Sequence, residues 1–146
     1  MKLTKIETPQ HARIDTTVGT RVFTGDTMIY GDTGWRKVDW LPTGHDIETL
    51  KVRRQNNTIT LVGVITPKSG GDVSSPSAVP DGFRQTASNG LGAYIYSLSG
   101  TQVAYFYLNV AGTTYLRNPV NDSVGRFALS WVTNDAWPTT LPGTPV

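Results

Sequence analysis

Apolar and polar residues alternate along much of this chain with a period of two, the repeat of a strand whose two faces meet different surroundings. The pattern is clearest in the middle. Thr49 to Gln55 and Thr58 to Ile65 are predicted to pair as a hairpin about Asn56-Asn57, residues that tolerate the positive φ angles of a two-residue turn. In that register Leu50 and Val52 share a face with Ile59 and Leu61, while Lys51 and Arg53 share the other with Thr60 and Val62. One face is apolar and one mostly polar, as in a half-buried antiparallel pair.

A second hairpin is predicted from Ala93–Leu98 and Thr101–Val110, turning at Ser99-Gly100. A two-residue turn puts Ile95, Ala104, Phe106 and Leu108 on one face and Tyr94, Tyr96, Val103, Tyr105 and Tyr107 on the other. Both faces of this pair are apolar or aromatic. Thr113 to Arg117 and Arg126 to Val132 supply further strands. Upstream, Val18 to Val38 reads as a small meander punctuated by Gly25-Asp26-Thr27 and Gly31-Asp32-Thr33, because Gly and Asp accept turn conformations that β-branched neighbours do not. The first ten residues are expected to be a loose tail. Leu41-Pro42-Thr43-Gly44 marks a boundary, giving a tail and collar-like meander over residues 1–45 and a larger β domain over 46–146. Pro67 to Pro80 is a Ser-, Gly- and Pro-rich surface loop, and the closing run carries Pro138, Pro142 and Pro145. The expected fold is all-β: an antiparallel β-sandwich or jelly-roll-like barrel with a short N-terminal β-meander.

Composition agrees with that class. The 146 residues hold 16% charged side chains and only two glutamates, Glu7 and Glu48, where helical proteins usually expose many Glu and Lys. A net charge of +2 gives no reason to expect nucleic acid. The densest basic cluster, Lys51, Arg53 and Arg54, is expected to be a solvated face. With no cysteine, disulfides and thiolate metal sites are excluded, and the core or partner chains must hold the fold. No apolar stretch reaches membrane-spanning length and the N-terminus lacks a signal-peptide core, so no membrane insertion is expected.

Catalytic constellations are scarce. His11 and His45 are the two histidines and belong to no zinc-ligand spacing or serine-triad elbow. His45-Asp46-Ile47-Glu48 is expected to be exposed polar surface. Asp26, Asp32, Asp72, Asp81, Asp122 and Asp135 all stand in turn contexts, where aspartates usually hydrogen-bond backbone. No enzyme and no cofactor are expected, with a cell-wall glycan depolymerase the least favoured alternative. Tyr94, Tyr96, Tyr105 and Tyr107 are the candidate subunit-interface or ligand-binding residues, since tyrosine buries a large ring while its hydroxyl finds a polar partner. A ligand there would be a sugar stacked on the rings.

The run Ser130-Trp131-Val132-Thr133-Asn134-Asp135-Ala136-Trp137-Pro138-Thr139-Thr140-Leu141-Pro142-Gly143 resembles the endings of minor tail proteins from phages of actinobacteria. Val18 to Thr27, Gly34-Trp35-Arg36, the Leu50–Leu61 hairpin and the Pro80-Asp81-Gly82-Phe83-Arg84 turn are similar to segments of the same proteins. The resemblance implies a virion-associated tail or fibre component, made in the host cytoplasm. It implies a homotrimer as in comparable phage fibres, partnered by other virion tail proteins, whose β domain meets a host cell-surface glycan or envelope component. It carries over no catalytic residue. Trp131, Trp137 and Pro138 are expected to close the end of the chain against the sandwich. The alternative expectation is a structural virion part such as a head fibre, collar or decoration protein.

Overall fold

The computed structural model describes residues 11–68 and 71–146, and the first ten residues, expected as a loose tail, lie outside them. Among the described residues there is no helix, and twelve strands join one antiparallel sheet that does not close. In chain order they are β1 (Ala12–Asp15), β2 (Thr20–Thr24), β3 (Thr27–Asp32), β4 (Arg36–Lys37), β5 (Asp46–Gln55), β6 (Thr58–Thr66), β7 (Val73–Ser75), β8 (Leu91–Tyr96), β9 (Gln102–Leu108), β10 (Thr114–Arg117), β11 (Gly125–Val132) and β12 (Thr144–Pro145). The strand order is β1-β2-β3-β5-β6-β11-β8-β9-β10-β7, with β4 beside β5 and β12 beside β4. A single bridge, Arg126 to Tyr96, joins β11 to β8. The sheet turns its corner there, so β5-β6-β11 faces β8-β9-β10 in a sandwich-like arrangement. Phe127 of one layer stacks on Phe106 of the other, ring centroids 5.2 Å apart.

The predicted hairpin forms with its predicted faces. Val52 opposes Leu61 and Gln55 opposes Thr58, and Asn56 takes a positive φ of 52° at the turn. Leu50, Val52, Ile59 and Leu61 are fully buried. Arg54 departs from expectation: instead of joining Lys51 and Arg53 on the solvated face, it is 1% exposed. The reason is the two-residue repeat, which puts Arg54 in phase with Leu50 and Val52, opposite Ile59.

The second hairpin departs at its turn and at one residue beyond it: the Ser97 N–H donates to the Thr101 carbonyl at 2.8 Å, so the loop is the three residues Leu98-Ser99-Gly100 rather than Ser99-Gly100 alone. A bulge between Ile95 and Tyr96 pairs Ile95 with Ala104 but Tyr96 with Gln102, leaving Val103 as the extra residue on β9. Val103, expected beside the tyrosines, is therefore turned inward and buried. Strand β1, unanticipated, lies at the outer edge of the meander and pairs Ile14 with Val22. The Pro67–Pro80 loop contains β7, a three-residue edge strand paired to β10. Val38, Trp40 and Leu41, assigned by sequence to the N-terminal unit, sit in the same core as the sandwich. Trp40 packs edge-on to Phe83 at 5.8 Å, and its carbonyl accepts the Thr114 hydroxyl.

Candidate functional site

Two places collect functional-looking side chains. The first is the outer face of β8-β9-β10. Cross-strand pairing sets Tyr94 opposite Tyr105, and Tyr107 opposite Tyr115. Ring centroids lie 4.9 Å apart for Tyr94–Tyr105, 6.2 Å for Tyr94–Tyr96 and 5.5 Å for Tyr107–Tyr115. Tyr94 is 54% and Tyr96 43% exposed; Tyr105, Tyr107 and Tyr115 are half-buried. The fold thus brings Tyr94, Tyr96, Tyr105 and Tyr107 together and adds Tyr115, which sequence reasoning left unassigned. Its signal was its alternation with Arg117 on β10, mirroring Tyr105 and Tyr107 on β9.

Glycine sets how these rings lie. A Cβ at Gly92 would fall 2.5 Å from the Tyr105 hydroxyl oxygen and 2.6 Å from Cζ, and one at Gly90 would meet Tyr107. Each ring therefore leans along the sheet over bare backbone, where a side chain on the neighbouring strand would force it upright. The Tyr107 hydroxyl fixes this pose by donating to the Asn89 carbonyl at 3.1 Å.

At the β10–β7 edge the aromatic surface meets charge. Arg117 stands over Tyr115 at 5.3 Å and over Tyr107 at 5.9 Å. Asp72 is held by one oxygen, Oδ1, which accepts the Asn118 N–H at 2.9 Å. Its Oδ2 lies 3.8 Å from Arg117 Nη1, beyond hydrogen-bond length. Ser74 faces Tyr115 across the strand pair. Asp72, Val73, Ser74, Tyr115 and Arg117 line a small open pocket of about 200 Å³.

The second place is the junction where the chain ends. Arg54 reaches into it from β5. Its guanidinium donates to the carbonyls of Asn56, Gly82, Ala136 and Asp135 at 2.7, 2.5, 2.9 and 2.9 Å. Burial pulls this guanidinium below its ordinary pKa, opposed by the nearby Asp135 carboxylate. Asp135 Oδ2 in turn accepts the Gly82 and Arg84 N–H groups. Trp137 lies 5.0 Å from Arg54, donates its indole N–H to the Val18 carbonyl at 2.9 Å, and spreads its ring over Gly31, where a Cβ would sit 2.5 Å away. Pro138 is buried against Gly82. Trp131 donates to the Phe83 carbonyl at 2.9 Å. A groove of about 650 Å³ runs beside this junction, lined mainly by residues 80–82 and 135–142.

The remaining titratable groups are dispersed. His45 Nδ1 accepts the Lys68 N–H at 3.2 Å, and burial lowers its imidazole below the usual histidine range. The Arg53 guanidinium grips Asp32 through both oxygens at 2.9 and 2.5 Å and, with the Gly34 N–H and the Tyr30 hydroxyl, holds its carboxyl down at about 2. Among the described residues no three His, Asp or Glu side chains gather as metal ligands, and no helix is long and apolar enough to cross a membrane. No family model, curated protein or solved structure matches this chain.

Proposed function

We propose that this chain is a non-catalytic attachment module of a phage virion, a tail-fibre or minor tail-protein domain that meets the host surface through the outer face of β8-β9-β10. One observation carries the reading. Rings of Tyr94, Tyr96, Tyr105, Tyr107 and Tyr115 are gathered on one open sheet face, although their large apolar area favours cover. The resemblance of the Ser130–Gly143 run to phage tail-protein endings supplies the virion context. Association about a threefold axis would let several weak contacts act together.

The test is attachment of fluorescently labelled protein to a panel of actinobacterial cells, with Tyr94→Ser/Tyr105→Ser as the comparison and light scattering to count chains. Cell binding by a three-chain particle, lost in the double variant, is the expected result. A monomer that coats no cell would remove the reading. A second reading, a head fibre, collar or decoration part with no receptor, is favoured by the meander. Ile14 is 67% and Ile29 57% exposed there, which suits packing against neighbouring virion subunits. Self-association without any cell binding would select it.

A further inference from the structure

The small pocket at the β10–β7 edge has a chemistry that the broad tyrosine face lacks. It presents the Tyr115 ring with the Arg117 guanidinium standing over it, a carboxylate oxygen in Asp72 Oδ2 and a hydroxyl in Ser74. Arg117 and Asp72 are close enough to orient each other, yet at 3.8 Å neither saturates the other's hydrogen-bonding capacity. Asp72 is prevented from swinging closer because its second oxygen is occupied by the Asn118 N–H. A donor and an acceptor are thus held side by side, both open to solvent, next to the half-buried rings of Tyr115 and Tyr107.

We propose that this pocket binds a neutral sugar ring through a pair of adjacent hydroxyls, with the neighbouring units of the same glycan running over Tyr107 and Tyr105; the proposal rests on the attachment reading and names its ligand. A hydroxyl is both donor and acceptor. Two on neighbouring carbons can therefore accept from the Arg117 guanidinium and donate to Asp72 together. The C–H bonds on one face of a pyranose carry partial positive charge and meet the electron-rich face of tyrosine. An acidic sugar is disfavoured because its carboxylate would meet Asp72, and a cationic group because it would meet Arg117. At about 200 Å³ the pocket is smaller than the roughly 300–1,000 Å³ typical of sites for drug-sized ligands, which suits one ring at a time. A nucleic-acid strand would need a continuous basic track, and Arg117 already has a carboxylate beside it.

The experiment prints neutral gluco-, galacto-, manno- and arabino-oligosaccharides beside uronate-bearing ones and oligothymidylate, and probes them with the full chain. The same protein is applied to whole actinobacterial cells. Asp72→Asn keeps the acceptor for Asn118, Arg117→Met keeps the apolar stem and Tyr115→Ala removes the ring beneath Arg117; thermal unfolding confirms that each is folded. Binding to at least one neutral series is expected, weakened about tenfold or more by each variant, the scale of losing one charge-assisted contact. Free sugar of that series should compete with cell attachment. Preference for uronates or oligothymidylate, no neutral binding at all, or neutral binding indifferent to all three variants overturns the sugar assignment. If cells still take up the protein under those outcomes, attachment survives without it. Failure on both cells and glycans overturns both.

Discussion

Arg54 and Arg117 are set in almost the same company and put to opposite uses. Each stands over an aromatic ring, Trp137 at 5.0 Å or Tyr115 at 5.3 Å, and each has an aspartate nearby. Arg54 is 1% exposed and its donors meet four backbone carbonyls. The Arg117 side chain is 47% exposed, and its nearest carboxylate is at 3.8 Å. A cation taken out of water must have its hydrogen bonds completed by the protein, and at the chain-end junction they are. On the tyrosine face they are left for something outside. The lesson is that satisfaction, rather than residue type, separates a structural cluster from a binding one.

Substitutions should split accordingly. Arg54→Met is expected to have the largest effect on stability, leaving four carbonyls short of a donor and parting the 80–82 turn from the 134–137 run. A loss of about 3–5 kcal/mol is expected, lowering the midpoint of thermal unfolding by roughly 10 °C. An unchanged midpoint would contradict the role given to Arg54. Trp137→Ala comes next, at about 2 kcal/mol, below the usual cost for a fully buried tryptophan because its ring is half-exposed. It should also release the meander, read as faster amide exchange in β2 and β3 while β5 and β6 stay protected.

A smaller effect is tied to pH. The folded pKa of Asp32, about 2, lies below the ordinary 3.8, so the group stabilises the fold fully above pH 4. That contribution is lost as pH falls toward 2. Discounted for partial exposure it amounts to about 1 kcal/mol. Asp32→Asn should remove about that much of the acid-induced drop in the unfolding midpoint between pH 5 and 2; an identical pH profile in the variant would deny the pairing any weight. Smallest of all, Arg117→Met and Tyr105→Ser should change stability by no more than about 0.5–1 kcal/mol while weakening attachment. If either unfolds the protein as Arg54→Met does, the contrast between the two regions is lost.

Much of this was legible in the chain. The period-two pattern assigned Leu50, Val52, Ile59 and Leu61 to one face and four tyrosines to another, because side chains alternate strictly along an extended backbone. Arg54 was legible by the same parity and was hidden by its charge: composition reads Lys51-Val52-Arg53-Arg54 as a basic patch, while phase places Arg54 inside. Val103 was not legible, since nothing local marks a bulge that inserts one residue into β9. Nor was the pocket at Asp72 and Arg117, whose residues come from one short stretch of a surface loop, Asp72 to Ser74, and a distant strand.

By itself, then, the sequence determined an all-β chain, its main hairpins and an aromatic face, all of which follow from local alternation and turn chemistry. Tertiary structure alone decided which carbonyls satisfy Arg54, where Trp137 lands and which carboxylate stands beside Arg117. Those outcomes depend on contacts between segments far apart in the chain, the β7–β10 pairing in one case and the docking of the chain end on Arg54 and Val18 in the other. Neither segment's own residues encode them.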